Sequence, residues 1–158
     1  MDKNLIAFRS ECKRMKSVLD YRKRIRNKLR ETEYYLSKPD QANSHLFPLR
    51  NNDSGKYLEN LSKKYQYSDM LKEMDQWIGQ IEQIIDNVPA VSMKYFIWVI
   101  WLEQKKCEKV ADEYLVAPGW LSRTIRSQLK ESIAATDINV QEMDIFSDLV
   151  NVSLRSSR

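Results

Sequence analysis

The residues of this chain best suited to recognition chemistry are cations on a helical spacing, not nucleophiles or general bases. Arg123, Arg126 and Lys130 share one predicted helical face with Pro118, Gly119, Ser122 and Ser127, and no carboxylate interrupts that face. Small residues at the start of a helix with guanidiniums further on suit close approach to a nucleic-acid groove. There arginine's planar fork can bridge a guanine edge, while lysine acts as a point charge toward phosphate. Arg123 and Arg126 are therefore the expected base or phosphate contacts, and Ser122 a secondary one. Lys130 and the N-terminal cations suit phosphates, which position a protein without reading sequence.

Covalent chemistry has little to work with. One histidine, His45, and two distant cysteines, Cys12 and Cys107, do not supply the four N/S ligands of a zinc site. His45 lies in a turn-rich stretch with no Asp or Cys placed to orient it, so it receives no role. There is no Gly-rich phosphate loop, and the many carboxylates occupy mostly solvated helical positions. The expectation is a protein that is not an enzyme and needs neither metal nor cofactor.

The elements that must position the cationic face are predicted to be all-α. The chain of 158 residues has only three Gly and four Pro, and is 42% apolar and 30% charged, which favours helices and allows a real core. Residues 1–40 hold twelve Lys/Arg against six Asp/Glu, while the rest holds fourteen against sixteen, so the basic excess is N-terminal. From Asn4 to Ser37 no Gly or Pro occurs. Leu5, Phe8, Cys12, Met15 and Leu19, continued by Val18, Ile25, Leu29 and Leu36, form a helical stripe. The cations opposite it are read either as a solvated helix face or as a surface for phosphate or a partner.

A polar linker is expected at about 38–56, where Pro, Gly, Asn, Asp and Ser concentrate. A second helix is expected to begin near Ser68, with the serine as cap. Met70, Leu71, Met74, Trp77, Ile78, Ile81, Ile84, Ile85 and Val88 line one broad face of it, and the heptad-like spacing 71, 74, 78, 81, 85, 88 suits packing within the domain or in a two-stranded coiled coil. Pro89 should end it. The run YFIWVIWL at 95–102 is eight residues long, too short for a membrane span of about 20, and predicts an enclosed helix instead. The first residues, MDKNLIAFRSECKR, are charged where a signal peptide needs an apolar core, which predicts a reducing, cytoplasmic setting without membrane attachment.

Residues 107–130 have the spacing of a helix-turn-helix. Ala111 is small where two steeply crossing helices come closest, with Val110 and Tyr114 expected to face inward beside it. Val116 is expected to plug the turn. Pro118 suits the first turn of a new helix, where its missing N–H costs nothing, and Leu121, Ile125 and Leu129 form the buried stripe of that helix. The same residues also fit an ordinary helical hairpin whose cations are solvated. Trp120 is expected to pack on the core, the alternative being contact with sugar and base.

With the apolar helix at 93–102 before them, Val110-Ala111, Val116 and Leu121-Ser122-Arg123 resemble the helix-turn-helix of sigma-70 region 4-like proteins. Together with the basic stretch YRKRIR at 21–26, the linker and the second helix, residues 20–135 resemble the small phage late-transcription regulators of the RinA, ArpU and LtrC type, most specifically over 93–130. The resemblance implies an activator of phage late genes, acting on double-stranded DNA in the bacterial host cytoplasm. Two positions depart from the pattern: Leu115 stands where the turn usually has Gly, and Ala117 where the second helix usually has a Ser or Thr cap.

The expected layout is a basic helical region over 1–66, a bundle over 67–135, and a short amphipathic helix and tail over 136–158. In the last segment Met143, Phe146, Leu149 and Val150 share a side, and residues 152–158 form a frayed tail. That C-terminal helix is read as a cap on the bundle, as a homodimer contact, or as a contact for RNA polymerase. The competing functional class is a protein-interaction module that acts on polymerase or another regulator without specific DNA binding.

Overall fold

The computed structural model describes residues 2–37 and 51–156, and every regular element among them is helical. In chain order these are α1 (Lys3–Cys12), α2 (Met15–Ser37), α3 (Asn51–Asp86), α4 (Val91–Ile97), a π-helical turn (Trp98–Leu102), α5 (Cys107–Glu113), α6 (Pro118–Ala135), a 3-10 turn (Val140–Glu142) and α7 (Ile145–Ser156). No helix among the described residues is long and apolar enough to cross a membrane. The chain forms two compact units, Met1–Val18 with Gln76–Ile145, and Leu19–Asp75 with Phe146–Arg158, whose boundaries fall inside α2 and α3.

The first unit carries the α5–α6 hairpin, the segment expected to form a helix-turn-helix. α1 packs against the π-helical turn, α6 and the 3-10 turn, while α4 and α5 pack on α6. Its core contains Phe8, Trp77, Ile81, Ile97, Leu102, Leu121 and Ile125, all buried. Cys12 is buried among them, and burial pushes its thiol up, so it packs as an apolar residue. In the second unit Ile25, Met70, Met74, Leu149 and Val152 are buried, and Arg22 Nε donates to Asp75 Oδ1 at 2.6 Å.

Several boundaries differ from the sequence reading. The first helix is interrupted at Lys13 and Arg14, where the Arg14 N–H bonds to the Glu11 carbonyl at 2.9 Å and tightens the turn. α3 begins at Asn51, so Ser68 lies inside a helix and caps nothing; residues 57–67 contain neither Gly nor Pro to stop it. The expected linker at 38–56 therefore overlaps α3 at 51–56, and its remainder, with His45, lies outside the described residues. Of the expected broad apolar face, Met70, Met74, Trp77, Ile81, Ile84 and Ile85 of α3 are buried, as is Val88 just beyond it, whereas Leu71 and Ile78, two positions of the heptad-like row, are only half-buried.

At the C-terminal end Ile145, Leu149 and Val152 are buried, whereas Phe146 and Val150 are exposed. α7 continues to Ser156, so residues 152–156 are helical, not frayed. The helix after Pro89 is enclosed as expected, with Met93, Phe96, Ile97 and residues 99–102 buried. Its last turn widens to π-helical hydrogen bonding and closes at Gln104, whose φ is 62°.

Candidate nucleic-acid interface

The turn between α5 and α6 has a defined geometry. Leu115 takes a left-handed conformation with φ 57°, its N–H bonds to the Asp112 carbonyl at 3.3 Å, and the Val116 N–H reaches the Ala111 carbonyl at 2.9 Å. Two such bonds closing over a left-handed residue form a Schellman motif, which satisfies carbonyls left open at the end of α5. Leu115 occupies the position usually given to Gly and accepts the steric cost of left-handed backbone. Its side chain is 90% exposed, so no packing offsets that cost.

After the turn, Ala117 stands at the N-cap of α6 with no side-chain hydrogen bond, and Pro118 opens the helix. Leu121, Ile125 and Leu129 are buried, as are Val110 and Ala111 on α5, so the apolar side of the hairpin is closed. Val116 is half-buried in the turn.

On the other side of α6, Pro118, Gly119, Arg123, Ser127 and Lys130 are exposed, and Ser122 and Arg126 are half-buried. All seven expected site residues thus lie on one side of one helix. They differ in state. Arg126 is folded back along α6, donating from Nη2 to the Ser122 Oγ at 2.8 Å and from Nε to the Ser122 carbonyl at 3.3 Å. Arg123 and Lys130 are exposed and make no ion pair among the described residues.

Two aromatic placements correct the sequence reading. Trp120 is 47% exposed rather than core, because the buried row of α6 runs one residue later, through Leu121. Thr124 bonds back to the Trp120 carbonyl at 2.7 Å beside it. Tyr114, expected to face inward, is 43% exposed at the end of α5 and packs edge-on against Phe96 at 5.2 Å between ring centroids. Its hydroxyl donates to that of Tyr95 at 2.9 Å, and this bond holds its pKa up to about 12.

Sequence spacing did not reveal which other cations stand near α6. A cleft in the first unit is lined by Arg9, Ser10 and Lys13 at α1, Trp101 of the π-helical turn, and Arg126 of α6. The Arg9 guanidinium lies 5.3 Å from the centroid of the Trp101 ring, a cation–π contact. Cys107 is half-buried and its thiol reaches the Pro118 carbonyl at 3.7 Å; burial raises its pKa, opposed in part by Arg126 and Arg9.

α1 itself is fixed by a polar network centred on the buried Glu11 carboxylate. Glu11 accepts from the Trp77 indole N–H at 2.8 Å and from Arg14 at 3.3 Å, and Arg14 also pairs with Asp144 at 2.7 Å. Burial raises the pKa of Glu11, and the bonds from Trp77 and Arg14 pull against that rise. The network ties α1 to α3 and to the start of α7, and so sets where Arg9 and Lys13 stand.

Among the described residues, no cluster of His, Cys, Asp and Glu is arranged to hold a metal. The arrangement defines an all-α protein with a two-helix hairpin that presents cations on its second helix. No family model, curated protein or solved structure matches the chain.

Proposed function

We propose that the protein is a sequence-specific DNA-binding transcriptional regulator that reads the major groove with α6. The observation that carries this reading is the two-sided construction of that helix. Leu121, Ile125 and Leu129 close its inner side, while Pro118, Gly119, Ser122, Arg123, Arg126, Ser127 and Lys130 share the outer one with no carboxylate between them. The Schellman turn at Leu115 supports it, because a tight left-handed connection is what lets the second helix of such a hairpin leave the first at a steep angle. Arg123 is the primary base contact and Lys130 a phosphate contact.

Activation of phage late genes, with double-stranded DNA and the host RNA polymerase as partners, follows from the resemblance to the RinA, ArpU and LtrC type regulators. A module with one reading helix covers few base pairs, so a second copy or polymerase supplies the remaining specificity.

The test is fluorescence anisotropy of the purified protein on labelled mixed-sequence duplex over a salt series. Phosphate neutralisation predicts that log affinity falls linearly with log salt. The triple variant Arg123→Ala/Arg126→Ala/Lys130→Ala should bind more weakly and with a shallower slope. Binding that is absent, or insensitive to salt and to all three substitutions, would favour a protein-interaction module instead.

A further inference from the structure

We propose that the cleft at α1 and α6 is a phosphodiester clamp, in which Arg9, Lys13 and Arg126 hold a backbone phosphate of the duplex whose groove α6 enters. The inference rests on the DNA-binding reading and adds which element holds the backbone, and where.

The cleft has a volume of about 240 Å³, and none of the described residues lining it is a carboxylate. Three cations, Arg9, Lys13 and Arg126, line it without a counter-charge in its walls. An anion of matching size removes their mutual repulsion, and a phosphate accepts hydrogen bonds from guanidinium and ammonium groups alike.

Two of the three are held before any ligand arrives. Arg9 lies over the Trp101 ring, which is buried and packs on Phe8 with centroids 6.1 Å apart. Arg126 is held by its two bonds to Ser122. Guanidiniums fixed in advance lose little freedom on binding, and that reduces the cost of association. Lys13 is exposed and adds a mobile point charge. Ile6, also exposed on the cleft wall, offers an apolar surface for the deoxyribose carbons flanking a phosphodiester.

The charge on α5 points to the same side. The first helix of a helix-turn-helix ordinarily crosses the DNA backbone. Within α5, however, Glu108, Asp112 and Glu113 are exposed against Lys109 alone. A strand laid over α5 meets net negative charge, whereas one laid over α1 meets Arg9 and Lys13 beside the cationic face of α6.

The experiment measures the salt slope of binding to labelled mixed-sequence duplex between about 50 and 200 mM salt for the full chain, Lys13→Gln and Arg9→Gln/Lys13→Gln. Lys13→Gln alters an exposed side chain and leaves the fold intact; its slope should fall by about 1. The double variant should lose roughly tenfold or more in affinity, with a slope lower by about 2, while its preference for a selected site over random duplex is unchanged. Thermal melting in inorganic phosphate against chloride at equal ionic strength runs alongside. Salt-dependent binding by the full chain that both variants share unaltered would overturn the clamp and leave the role of α6 intact. No DNA binding by the full chain would overturn the DNA-binding reading and the clamp with it. In that case a phosphate-specific rise in melting temperature, lost in the double variant, would reassign the cleft to a small phosphorylated ligand.

Discussion

Replacing Leu115 by Gly should stabilise the protein. A non-Gly residue in left-handed backbone costs about 1–2 kcal/mol, and Leu115 has φ 57°. Its side chain is 90% exposed, so truncation sacrifices almost no packing, and both bonds that define the turn come from backbone atoms that remain. Against the relief stands the extra freedom of Gly in the unfolded chain, about 0.5–1 kcal/mol. The net expectation is a gain of about 0.5–1 kcal/mol, equivalent to a rise in Tm of about 1–4 °C for a chain of this size. Urea unfolding followed by circular dichroism reads it as a higher midpoint at unchanged m-value. Leu115→Ala keeps the backbone penalty and should stay close to the parent. A loss of about 1 kcal/mol in the Gly variant, or an equal gain in the Ala variant, would refute the left-handed turn as the source of the effect.

Other substitutions probe the scaffold around the interface. Phe8 is fully buried against Trp101, so Phe8→Ala should cost about 3–5 kcal/mol in urea unfolding; a cost below about 1 kcal/mol would contradict that packing. Trp120→Ala should cost clearly less, about 1–2 kcal/mol, because half of that side chain is already in water. The raised pKa of Glu11 means that the folded state holds its proton more tightly than the unfolded one. The Glu11 contribution to stability is therefore fullest below its ordinary pKa of 4.5 and declines as pH rises through the raised value. In Glu11→Gln this decline should vanish, so stability of the parent relative to the variant should fall as pH is raised from about 4 to 7. A difference constant with pH would show that Glu11 does not titrate differently on folding.

The fold class was legible because nearly every helix has an apolar row at helical spacing and few Gly or Pro interrupt it. The end of α3 before Pro89, the start of α6 at Pro118 and the row Leu121, Ile125, Leu129 are all local signals. The break after Cys12 has no such signal. Residues 9–16 contain no helix breaker, and the Arg14 pair with Asp144 joins positions far apart in the chain. The broad apolar face of α3 was legible, but within it Met70 and Trp77 are buried while Leu71 and Ile78 are half-buried, because periodicity does not choose between neighbouring apolar rows. Ser68 had the residue type of a cap, but a cap forms only where the preceding residues leave the helix, and residues 57–67 stay in it.

For the candidate site, the spacing of Arg123, Arg126 and Lys130 was enough to place them on one side of α6. It did not indicate that Arg126 folds back on Ser122, nor that Arg9 and Lys13 line a cleft with it. Those contacts depend on tertiary packing of α1, which the buried Glu11 network fixes. The same dependence explains Trp120, whose residue type suggested burial while its position beside the apolar row left it half in water.

The central claim is sequence-specific recognition by α6, and selection of bound duplexes from a random library, at two salt concentrations, addresses it most directly. Specific recognition predicts enrichment of a discrete motif by the parent and its loss in Arg123→Ala/Arg126→Ala, with a symmetric motif if two copies bind together. Recovery of unenriched sequence by both proteins at both salt concentrations would contradict it.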